Sequence, residues 1–297
     1  MTSNGGVVPF QQVPRSAPLA ARHPAFSIKL PDFLIIGAQK AGTTSLADHL
    51  NAHPNVAPAT CKEVHFFDLH YAEGVNWYRS HFPVGRRRRL RSLLLREPLL
   101  VGDASPYYLF HPIAASRCFK LLPGARIIIL LRDPVARAHS HYHHEVRGAW
   151  EPLSFEQAIE AESSRLANEP ERLEADPLYR TFAHQHFSYL ARGVYLHQIN
   201  AWLRCYSSEQ VLVLSSESFF EDPSAAYRRV LTFLGLPQWE PDKYRPQHVG
   251  KYNPIAPGTH ESLIRYYAPY NQTLRHYLNS IWPGVGSAVV DRWPSPE

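Results

Sequence analysis

Cysteine is scarce in this chain: Cys61, Cys118 and Cys205 are the three it has among 297 residues. They lie 57 and 87 positions apart and form no CxxC pair, so neither a disulfide framework nor a zinc cluster can be read from them. Long apolar runs are missing as well. The longest stretches, such as Phe33 to Ile36 and Ile127 to Leu131, fall far short of the ~18 residues a membrane span needs. Residues 1–30 carry prolines at 9, 14, 18 and 24 but no continuous apolar core of a signal peptide, and read as a flexible arm ahead of a single domain over 31–297. The expected setting is cytoplasmic, or the Golgi lumen if a membrane anchor has been removed. Excess charge is lacking over most of the chain too. Lysine and arginine outnumber the acids 31 to 26, yet Arg86–Arg91 (RRRRLR) alone holds five arginines, and without them the charges balance. A uniformly basic, nucleic-acid-coating surface is therefore excluded. Leu90, Leu93 and Leu94 recur at i, i+3 and i+4 through the run, which predicts an amphipathic helix that buries its leucines and shows its arginines to water. An acceptor-docking patch is the alternative.

What the chain has is a 44% apolar composition, enough for a substantial core. Phe33–Ile36, Leu99–Asp103, Arg126–Leu131 and Val211–Leu214 read as short strands, the third continuously apolar and so buried on both faces. Helical patterns lie between them at about 111–121, 134–147, 154–166, 186–205, 223–234 and 259–278. This alternation predicts an α/β fold, a central parallel sheet flanked by helices, with ligands at the carboxyl ends of the strands. Residues 165–185, with Pro170 and Pro177 among charges, read as an exposed excursion.

The stretch Gly37-Ala-Gln-Lys40-Ala41-Gly42-Thr43-Thr44-Ser45 links the first buried strand to a helix with Leu46 and Leu50 on one face. Backbone amides and the positive dipole end at such a helix start favour an anion. A nucleotide-binding P-loop of the ATPase or kinase kind places lysine directly after its last glycine. Here Thr43 holds that place and Lys40 precedes Gly42, which argues against a kinase. His139 and His143 fall at i and i+4, but without HExxH order they are a weak metal signal, and no metal is expected.

FLIIGAQKAGTTSL at 33–46, KEVHFFD at 62–68, GVNWYRSHFP at 74–83, GDASPYYL at 102–109, RIIILLRDPVARAHSHYHH at 126–144 and a weaker GKYNPI at 250–255 together resemble the sulfotransferases that use 3′-phosphoadenosine 5′-phosphosulfate (PAPS). The closest likeness is to the glycan branch with the heparan sulfate N-sulfotransferases and 3-O-sulfotransferases. The resemblance implies a P-loop-kinase-like sulfotransferase fold, PAPS as donor, 3′-phosphoadenosine 5′-phosphate (PAP) as product, and a saccharide or other small acceptor. It implies that Lys40, Ala41, Gly42, Thr43, Thr44 and Ser45 hold the 5′-phosphosulfate, and Arg132 and Ser140 the 3′-phosphate. Glu63 matches the catalytic base, while His65, Asp68 and His144 match positions near the reaction centre. Gly250, Lys251 and Tyr252 match a loop closing over the nucleotide, and Tyr195 stands where the family has an aromatic near it, although a core tyrosine reads as well. Ala104 departs from the lysine of several heparan enzymes, which weakens the case for a strongly anionic acceptor. A non-catalytic polyanion-binding protein using Arg86–Arg91 is the alternative function.

Overall fold

The computed structural model describes residues 26–241, 243–244 and 253–296. The predicted arm therefore lies mostly outside the described residues, as do Gly250, Lys251 and Tyr252. Seven strands are described: β1 (Phe26–Ile28), β2 (Phe33–Gly37), β3 (Val56–Ala57), β4 (Pro83–Gly85), β5 (Leu100–Ala104), β6 (Arg126–Leu131) and β7 (Val211–Ser215). Five of them form one parallel sheet in the order β3-β5-β2-β6-β7. Apolar side chains face both sides of it: all of β2 is buried, as is β6 from Ile127 onward. Such strands need helices on each face. β1 pairs antiparallel with β4 apart from the sheet, so the last residues of the segment read as an arm are strand.

Helices follow the strands: α1 (Thr43–Ala52), α2 (Gly74–Ser80), α3 (Arg86–Leu95), α4 (Ala114–Leu121), α5 (Pro134–Arg147), α6 (Phe155–Arg165), α7 (Glu169–Ala175), α8 (Phe182–His186), α9 (Tyr195–Leu203), α10 (Ser216–Glu221), α11 (Pro223–Leu234), α12 (Pro257–Ile281) and α13 (Val285–Val290). None of the described helices is long and apolar enough to cross a membrane. The parallel sheet flanked by helices agrees with the sequence reading. Two expectations do so only in part. The helix predicted over 186–205 is broken between α8, ending at His186, and α9, starting at Tyr195: the Leu190 and Ala191 amides between them donate to the Glu162 side chain, at 2.6 and 2.8 Å, instead of to a helix ladder. The stretch 165–185 is an exposed excursion only in part: residues 174–178 are exposed, while Glu169, Leu173, Thr181 and His184 are buried.

The sheet order sets where a ligand can sit. After β2 the chain turns toward β3 and β5, whereas after β6 it turns the other way to β7. Connections leaving neighbouring strands in opposite directions open a crevice at their carboxyl ends. The loop 37–42 and residues 132–133 border that crevice.

Candidate active site

Two strand-to-helix turns face one another across the crevice, and they treat their helix ends differently. At β6–α5 the Asp133 carboxylate accepts hydrogen bonds from the amides of Val135 and Ala136, both 3.1 Å. This is a side-chain N-cap with Pro134 in the first turn. At β2–α1 the N-cap is Gly42, at φ 95°, and no side chain caps the helix. The turn must be glycine, because a Cβ would stand 2.9 Å from the Phe220 ring. An anion would complete the start of α1 as Asp133 completes that of α5.

Loop 37–42 is braced from several sides. The Ala38 amide donates to the Leu130 carbonyl at 2.6 Å, and Arg132 Nη1 donates to the Lys40 carbonyl at 2.9 Å. Arg132 thus spans the crevice, with Asp133 engaged in its cap rather than as an ion-pair partner. Buried Arg192 donates to Gln39 Oε1 at 2.5 Å and lies over the Tyr107 ring at 4.7 Å. Burial lowers its pKa to about 10, which leaves it charged. Tyr195 is buried and donates to the Arg132 carbonyl at 2.8 Å. It supports Arg132 from behind as a core tyrosine.

Arg132 and Ser140 line one cavity of about 470 Å³ with His139, Pro254, Ile255 and His260. Sequence spacing alone does not establish this juxtaposition, and α5 supplies it. His139 and His143 meet at 3.0 Å between their Nε2 atoms. No group of three or more potential metal ligands occurs among the described residues.

Glu63, His65 and Asp68 form a second cluster, one side chain linking the other two. His65 Nε2 lies 3.0 Å from Glu63 Oε2, and His65 Nδ1 lies 2.8 Å from Asp68 Oδ2. The chain turns at His65, which has φ 54°, and the Leu69 and His70 amides donate to its carbonyl. Burial opposes charge on His65, but the Asp68 carboxylate and then Glu63 outweigh it and hold the imidazole pKa well above its ordinary value. Burial likewise opposes ionisation of Glu63. The hydrogen bond and charge of His65, aided by Lys62, still hold that carboxyl below its ordinary value. The cluster is therefore carboxylate, imidazolium, carboxylate at neutral pH.

His144 stands near both groups. Its pKa is lowered first by partial burial and then by the Lys40 ammonium, against a weaker opposing pull that includes Glu63. Lys40, Glu63, His65 and His144 thus share one electrostatic neighbourhood. Glu63 also lines a cavity of about 260 Å³ with Thr43, Thr44, Asp48, Lys62 and Ala104.

Residues that motif reading passed over fasten the 63–68 turn. The Ser105 hydroxyl accepts from the amides of Val64 and His65, both 3.1 Å, and donates to Asp103 at 2.8 Å. The Tyr108 hydroxyl accepts from the Phe66 amide at 2.8 Å and donates to Asp103 at 2.9 Å. Each hydroxyl has one proton, and with it committed to the carboxylate the lone pairs must face the turn. Tyr78 donates to Asp103 as well, at 3.0 Å. Burial raises the Asp103 pKa to about 6, against these three donors. The motif GDASPYYL held the signal in Asp103, Ser105 and Tyr108, but a two-residue alternation cannot show that they grip another loop.

Comparisons with known proteins point to the same family as the sequence motifs. A family profile described as "Sulfotransferase domain" matches residues 30–249. The chain is 27% identical over 84% of its length to the "Membrane-associated sulfotransferase kil1" of Dictyostelium discoideum, and covers 65% of that protein. It is 32% identical over 74% of its length to the "Heparan sulfate glucosamine 3-O-sulfotransferase 3B1" of Mus musculus, covering 50% of it. To the "Bifunctional heparan sulfate N-deacetylase/N-sulfotransferase 1" of Caenorhabditis briggsae it is 28% identical over 88%, covering 30%. The chain thus spans between about a third and two thirds of these curated relatives. A crystal structure of a sulfotransferase from Alicyclobacillus acidocaldarius superposes with a TM-score of 0.61 at 32% identity, over 85% of this chain and 97% of that one.

Proposed function

The chain belongs to the sulfotransferase domain family, and from that premise we propose that it moves a sulfuryl group from PAPS to a hydroxyl or amine of a saccharide or glycoconjugate. The observation that carries this reading is the cavity that Glu63 shares with Thr43 and Thr44 at the uncapped start of α1. The donor supplies an activated sulfur whose bond to the 5′-phosphate oxygen breaks as the acceptor oxygen or nitrogen bonds to it. Amides of Thr43, Thr44 and Ser45 and the Lys40 ammonium bind the phosphate on which negative charge develops. Arg132 and Ser140 take the 3′-phosphate in their shared cavity. Glu63, held ionised, accepts the acceptor's proton. Two carboxylates beside an anionic donor would repel it, and the His65 imidazolium between them offsets that repulsion.

Among the described residues the acceptor side lacks a strongly cationic lining: Ala104, Asp48 and Glu63 border the cavity with Lys62, which favours a neutral or amine-bearing acceptor over a densely anionic glycan. A cytoplasmic setting is part of the proposal, supported by three free cysteines. The experiment is a thermal shift with PAP and a labelled-sulfate transfer screen over saccharides. PAP raises the melting temperature, Lys40→Ala removes the shift, and Glu63→Gln keeps the shift but lowers turnover by about 10²–10⁴-fold. A folded protein that neither PAP nor PAPS stabilises would overturn the reading.

A further inference from the structure

The helix predicted across the arginine run is present as α3, but it is turned the opposite way. Leu90, Leu93, Leu94 and Leu95 are 48%, 66%, 81% and 53% exposed, so the expectation that its leucines are buried is wrong. The cause lies on the other edge of the helix. Arg91 Nη1 donates to Asn55 Oδ1 and pairs with Glu97 at 3.4 Å. Ser92 Oγ donates to the Glu97 carbonyl at 2.6 Å. These contacts tie down the Arg91 edge and aim the stripe of Leu90, Leu93 and Leu94 outward, over an arc of about 100° at the helical period. Arg89 is exposed beside this stripe, and Arg86 is exposed on the same face one turn toward the amino end of the helix.

We propose that α3 docks this protein on the anionic surface of a phospholipid membrane. The charge argument is local: the net +5 of the chain equals the five arginines of Arg86–Arg91, so its one unbalanced positive segment is also the segment that exposes four leucines. A soluble sulfated polysaccharide would engage the arginines and leave the leucines in water. A bilayer takes both, arginines at the phosphate headgroups and leucines at the acyl boundary. The placement keeps the enzyme usable. α3 leads into the amino end of β5, so docking there leaves the crevice at the carboxyl ends facing solution.

The test is vesicle flotation of the full chain with phosphatidylcholine alone and with added phosphatidylserine. Binding to the phosphatidylserine vesicles is expected, weakening with salt. The double variant Leu93→Gln with Leu94→Gln, which keeps every arginine, should bind at least about tenfold more weakly. Its melting temperature and PAP shift should be those of the unaltered protein, because the replaced side chains are exposed and lie away from the crevice. Flotation of the variant equal to that of the parent overturns the proposal and points to a polyanion patch, all the more if heparin displaces both alike. Absence of flotation, or equal flotation with phosphatidylcholine alone, overturns it too.

Discussion

His65 carries charge because of what stands on either side of it. A buried imidazole is ordinarily neutral, and burial does work against it here, but Asp68 and Glu63 reverse the outcome. The sign for catalysis follows. In the proposed reaction the competent state has Glu63 ionised and His65 protonated. It is lost on the acid side as Glu63 protonates, below the ordinary carboxylate value of 4.5, and on the alkaline side as His65 deprotonates, well above 6.5. The kcat/KM profile should therefore be flat through neutral pH. Asp68 makes the largest contribution holding the His65 proton, so Asp68→Asn should move the alkaline limb down toward the ordinary imidazole range. An alkaline limb that stays in place in a folded Asp68→Asn variant would remove His65 from the active state. KEVHFFD showed which residue types lie together, but not how the chain turns between them. The positive φ of His65 that folds Asp68 back onto the ring comes from the turn that Ser105 and Tyr108 hold.

Elements place these residues by gripping one another's backbones. The end of β5 does this for the 63–68 turn: Asp103 orients Ser105 and Tyr108, and their hydroxyls accept three successive amides. Ser105→Ala leaves the Val64 and His65 amides without that acceptor, and should cost about 1–3 kcal/mol in denaturant unfolding. It should also lower kcat, with PAP affinity unchanged, since the nucleotide cavity is lined from other elements. Equal loss of PAP affinity would show that the serine acts on the whole fold rather than on the turn. α1 and α5 make the complementary point. Both follow buried strands, yet Asp133 caps one while Gly42 leaves the other without a side-chain cap. Residue order reveals that difference directly, because a glycine has no cap to offer and an aspartate before proline does.

Across the whole molecule, the sheet order brings the two halves of the proposed nucleotide site together. β2 and β6 are neighbours in the sheet although 88 residues lie between Gly37 and Arg126, and Arg132 closes the gap by donating to the Lys40 carbonyl. Arg132→Ala should therefore weaken PAP binding about 10- to 100-fold, as expected for loss of a charged hydrogen-bonding partner, and loosen loop 37–42 together with it. Calorimetric titration measures the affinity; an unchanged Kd would place the 3′-phosphate elsewhere. Membrane docking through α3 belongs to this scale as well, since it fixes which end of the sheet faces solution.

The sequence by itself determined the class of fold and the glycine loop that opens α1, because buried strands and a helix start are each local and leave a short pattern of residue types. The tertiary structure decided the rest. Whether Arg132 and Ser140 share a cavity, whether Tyr195 packs behind Arg132, what holds the Glu63 turn, and which way the leucines of α3 point all depend on contacts between segments distant in the chain. The leucines are the clearest case. Periodicity defines a stripe on a helix, but the partners of the opposite edge, here Asn55 and Glu97 for Arg91, decide whether that stripe meets the core or the water.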